Sequence, residues 1–136
     1  MKKTLLSIIA SGLLTAPALA ADYKMSVTDT GLREYYCQLT VTLENTDDAP
    51  LGEISGYFYA YIGDEKVGRS KGAWFLNVDS GDTAEATFET PNAPCDTIER
   101  YEFVVGACRF EAGFEDKALC AQRIDFTAPL MLRPGS

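Results

Sequence analysis

Three tyrosines, Tyr57, Tyr59 and Tyr61, stand at i, i+2 and i+4, the spacing that places side chains on one face of an extended strand. Tyrosine joins apolar area to a polar tip, which suits recognition of sugars, peptides or protein surfaces. The same spacing also serves cross-strand aromatic packing, a purely structural role that is the commoner one. Trp74, the single tryptophan, is a candidate to extend that face, as are Tyr35 and Tyr36. Tyr57, Tyr59, Tyr61 and Trp74 are therefore the candidate ligand- or partner-binding residues.

Other reactive residue types form weaker patterns. Asp47 with Asp48, and Asp79 with Asp82, offer oxygens to calcium, but calcium takes about six to eight, and neither pair has the spacing of a dedicated loop. Asp and Asn are also what turns select for their own backbone hydrogen bonds. Glu111, Glu115 and Asp116 are a candidate acid/base set, yet they crowd into one polar stretch, whereas paired catalytic carboxylates need rigid supports flanking a cleft. The chain contains no histidine, so no serine has the base that acyl-transfer chemistry requires. Met25 and Met131 stand too far apart to suggest a copper carrier. No cofactor or metal is expected, and the chain reads as non-enzymatic.

Cys37, Cys95, Cys108 and Cys120 form an even set with no CxxC pair and no zinc spacing. A thioredoxin-like role needs two cysteines close in sequence at a helix start. Two structural disulfides are the default for such a set in an exported chain. Counting alone leaves three connectivities open.

Export is indicated at the N-terminus. Lys2 and Lys3 precede an apolar run through Leu5, Leu6, Ile8, Ile9, Leu13 and Leu14, and Ala18 and Ala20 complete an A-x-A cleavage pattern. Residues 1–20 are predicted to be a cleaved signal peptide. Their apolar run falls short of the roughly 20 residues of a membrane span. Residues 21–136 are expected to form a single domain in the periplasm or outside the cell, with 127–136 a flexible tail and no membrane insertion after cleavage. Loss of Lys2 and Lys3 moves the formal net charge from −8 to −10. So acidic a domain is not built to neutralise nucleic acid phosphates or to adsorb on anionic lipid.

Period-two alternation must position these residues. In 36–44, Cys37, Leu39, Val41 and Leu43 alternate with Gln38, Thr40, Thr42 and Glu44. Further strands are predicted over 23–28, 54–62, a weaker one over 73–78, 83–90, 101–109 and 119–126. Turn clusters divide them, including Asn45 to Pro50, Gly63-Asp64 and Ser80-Gly81-Asp82. The expected fold is all-β: an immunoglobulin-like antiparallel β-sandwich of about seven strands, with two disulfides. In that strand order Cys37 and Cys95 fall at one end of the sandwich. Cys108 closes the sixth strand and Cys120 opens the seventh at the other end. The predicted bonds are Cys37–Cys95 and Cys108–Cys120, contributing about 4 and about 3 kcal/mol through loop entropy.

The segments Leu43-Glu44-Asn45-Thr46, Phe58 to Asp64, Val67-Gly68 and Ser80-Gly81-Asp82-Thr83 leading into Phe88 resemble the FxLYD-type β-sandwich domains of exported bacterial proteins. The resemblance covers residues 39–88, rests on turn and core positions, and implies a fold but no defined activity. The expected function is a protein-interaction or inhibitor module whose partner is another envelope or secreted protein. A glycan- or small-ligand-binding domain using the tyrosine face is the alternative, and a purely structural accessory domain is a third. From overall charge, an acidic inhibitor should meet a basic protein and weaken with salt, whereas stacking on sugars should barely respond.

Overall fold

The computed structural model describes residues 21–33, 36–91 and 93–133. The predicted signal segment 1–20, Tyr35 and residues 134–136 lie outside them. Strands β1 (Tyr23–Arg33), β2 (Tyr36–Asn45), β3 (Leu51–Ile62), β4 (Glu65–Val78) and β5 (Thr83–Pro91) follow one another. A 3-10 turn at Cys95–Thr97 leads to β6 (Arg100–Phe110) and β7 (Gly113–Glu115). Helix α1 (Lys117–Gln122), β8 (Ile124–Phe126) and β9 (Leu130–Leu132) complete the chain.

Two sheets pack face to face. The first has the order β5-β2-β1-β8; the second has β4-β3-β6-β7, with β9 also on β6. The alternation in β2 sets the first sheet: Cys37, Leu39, Val41 and Leu43 are fully buried, and a one-residue slip would expose them all. In β3, Ile54, Phe58 and Ala60 turn inward. Phe58 joins the layers, with ring centroids 4.8 Å from both Phe88 of the first sheet and Phe103 of the second. Burying a ring of this kind contributes about 2–3 kcal/mol. Gly63, at φ 58°, takes the first position of the two-residue loop joining β3 to β4, since Ile62 pairs Glu65. A left-handed residue there matches the twist of a tight hairpin.

The all-β sandwich and both disulfides are as expected: Cys37–Cys95 spans Cα atoms 4.8 Å apart, and Cys108–Cys120 spans 6.3 Å. The C-terminal third differs. In place of the last strand predicted over 119–126, Asp116 caps a helix by accepting from the Ala118 and Leu119 amides at 2.9 and 3.3 Å. Lys-Ala-Leu-Cys-Ala-Gln are good or tolerable helix formers, and the cap satisfies two otherwise orphaned donors. Cys120 therefore sits on α1, not on a strand. The chain then runs parallel to β1 as β8 and parallel to β6 as β9. These pairings depart from a purely antiparallel arrangement. Within the segment expected as a tail, β9 buries Leu130. The segments around Val67 and Ala73 are one long strand, β4.

Candidate functional site

The outer face of the second sheet follows from its register. Inward residues of β3 alternate with Glu53, Ser55, Tyr57, Tyr59 and Tyr61. Beside them lie Leu76, Trp74, Gly72 and Lys66 of β4, and Arg109, Ala107, Val104, Glu102 and Arg100 of β6. The three tyrosines do share this face, and Trp74 joins them. Tyr36 does not, because it starts β2 in the first sheet.

The four candidate residues have different surroundings. The Lys66 ammonium lies 4.6 Å from the centre of the Tyr59 ring, and the Arg133 guanidinium lies 5.2 Å from it. Arg100 covers Tyr61 at 4.4 Å. Cations over a ring face are held by its quadrupole, typically by about 0.5–1 kcal/mol at exposed sites. Burial, and then the neighbouring Glu102 carboxylate, push the Tyr61 hydroxyl above its ordinary pKa. Tyr59 and Tyr61 thus already hold partners within the chain.

Tyr57 and Trp74 are the open pair, 49% and 62% exposed. A side chain on Gly72 would stand 2.6 Å from the Trp74 ring. The glycine therefore lets the indole lie against the strand instead of projecting from it. Between Tyr57 and Trp74 runs a groove of about 320 Å³, floored by Ser55, Gly56, Gly106 and Ala107 and bounded by Lys117. The floor is low because β6 carries one extra residue here: Ser55 pairs Ala107 while Gly56 pairs Val105, a β-bulge. Leu76 and Phe114, 52% and 73% exposed, add apolar side chains to the same face, with Glu53 and Arg109 between them in register. Phe114 was hidden in a stretch that reads as a polar loop; it reaches the face because β7 pairs it with Arg109.

Among the remaining acidic candidates, the carboxylates of Asp47, Glu115 and Asp116 have partners within the chain. Arg123 bonds Asp22 at 2.7 Å and Glu115 at 3.1 Å, meets Asp47 at 3.6 Å, and lies 4.0 Å from the centre of the Phe110 ring. Asp82 donates its amide to the Asp79 carbonyl within a turn, and Asp116 caps α1. Among the described residues, no three Cys, Asp or Glu side chains gather as a metal site would require.

No family model matches the chain, and no curated protein matches it in sequence. Among solved structures, IrmA from Escherichia coli is similar, with a TM-score of 0.57 over 78% of this chain and 91% of that one, at 15% identity. At that identity the likeness supports the fold alone.

Proposed function

We propose that this domain is an exported, non-enzymatic recognition module that holds another envelope or secreted protein on the outer face of its second sheet. The observation that carries the reading is the open pair Tyr57 and Trp74, flanked by Leu76 and Phe114. Exposed aromatic side chains grouped on a rigid sheet are what protein interfaces enrich at their centres, and contiguous exposed apolar surface marks contact sites. A periplasmic or extracellular place accords with the two disulfides, which persist in oxidising compartments. Among the described residues, no helix is long and apolar enough to cross a membrane.

The flat indole over Gly72 favours a second reading, stacking of a sugar ring in the groove. One experiment addresses both. Oxidised protein spanning residues 21–136 is immobilised and exposed to envelope extract and culture supernatant, beside a Tyr57→Ser/Trp74→Ala variant checked for retained fold. A protein bound by the parent and lost by the variant supports the first reading, and a glycan lost in the same way supports the second. Equal capture by the two would refute both.

A further inference from the structure

We infer that the partner engaged by the outer face of the second sheet is an acidic protein segment; this rests on the recognition reading above and adds the partner's charge to it. Overall charge favours a basic partner, but the charge is unevenly distributed. On the outer face of the first sheet acids outnumber bases: Glu44, Glu85, Glu89 and Asp125 stand with Lys24 among threonines and other neutral residues. On the outer face of the second sheet the balance reverses. Lys66, Arg100, Arg109 and Arg133 lie on or over it, and Lys117 bounds its groove.

Among the described residues, two carboxylates occupy the outward register positions of that second face, Glu53 and Glu102. Glu102 is only 7% exposed and lies 3.5 Å from Arg100, so its charge is met locally. An acidic chain thus presents one cationic, aromatic surface. Local charge steers encounter and sets register more than net charge does, because screening confines each charge to within about 10 Å at moderate salt. The cations over Tyr59 and Tyr61 have a second consequence. They hold the charged rim in place beside Tyr57 and Trp74, so an acidic segment with an apolar anchor meets both elements together.

The test is selection of phage-displayed random dodecapeptides on the oxidised domain. Enriched peptides are synthesised and their affinity measured at about 0.05 and 0.5 M salt. The expected peptides are rich in Asp and Glu with an apolar residue, and they bind about tenfold more weakly at high salt. A Lys66→Glu/Arg133→Glu variant, altered at two exposed positions, should bind them about tenfold more weakly, with Trp74→Ala abolishing binding. The salt series on the unaltered domain remains decisive even if that variant misfolds. Neutral or basic peptides, insensitive to salt but lost with Trp74→Ala, would overturn the acidic inference and leave the recognition reading standing. No enrichment, or enrichment indifferent to Trp74→Ala, would overturn both.

Discussion

Replacing Asn45 by alanine is predicted to cost about 3 kcal/mol of stability. Its side chain, wholly buried at the end of β2, donates to the carbonyls of Val78 and Ala49 at 2.9 and 3.0 Å and accepts from the Asp47 amide at 2.9 Å. The bond to Val78 crosses from the first sheet to the second. The two bonds at the loop are partly exposed, so water replaces them and each is worth about 0.5–1 kcal/mol; the buried Val78 carbonyl loses its partner outright, at about 2 kcal/mol. At this chain length the total lowers the melting temperature by about 10–15 °C.

Asn45→Asp separates hydrogen bonding from volume. It keeps the acceptor for Asp47 but sets an oxygen against two carbonyls, so the native state favours the protonated acid. Its folded pKa then lies above the unfolded value of about 3.9. The unfolded chain ionises first, so the variant's deficit relative to the parent is smallest below about pH 4 and grows as pH rises. Urea unfolding followed by far-ultraviolet circular dichroism measures both variants. A loss under about 1 kcal/mol in Asn45→Ala, or an Asn45→Asp deficit unchanged between pH 4 and 7, would refute the reasoning.

Three further outcomes are expected. Replacing Cys37 and Cys95 by alanine should cost about 4 kcal/mol and replacing Cys108 and Cys120 about 3, because the sequence separations are 58 and 12; denaturant titration of the two double variants reads the order. Gly56→Ala would drive a methyl group into the Val104 carbonyl oxygen and should cost about 1–3 kcal/mol, whereas Gly31→Ala meets nothing within 4 Å and should be near neutral in the same titration. Burial pushes the Tyr23 hydroxyl up to about 12. The unfolded chain therefore ionises first, stability is retained below pH 10 and falls between pH 10 and 12, and Tyr23→Phe should flatten that alkaline decline in denaturant titrations.

The regularly alternating elements were legible in the sequence. Cys37 to Leu43 and Ile54 to Ala60 announce their buried faces, and the strand order of a sandwich led to the right cysteine pairs although Cys120 lies on α1 and not on the strand that argument gave it. The C-terminal third was not legible in the same way. Ala118, Leu119, Cys120 and Ala121 form a short apolar run that fits a strand or a helix equally, and the Asp116 side chain decides for the helix. The state of the tyrosines was out of reach for another reason. The three share a face by spacing alone, but the cations over Tyr59 and Tyr61 come from β4, β6 and the residue after β9. No local pattern brings those together. Asn45 likewise reads as an ordinary turn residue until Val78, from a strand of the other sheet, meets it.

The parallel seat of β8 on β1 also bears on the time course of folding. Tyr23 pairs with Ile124, so the first strand waits for a partner roughly a hundred residues downstream. Such distant pairings raise contact order and slow folding. During that interval one edge of β1 offers unpaired amides and carbonyls, the kind of edge on which chains associate wrongly. The final assembly of both sheets then falls to the segment that carries β8 and β9.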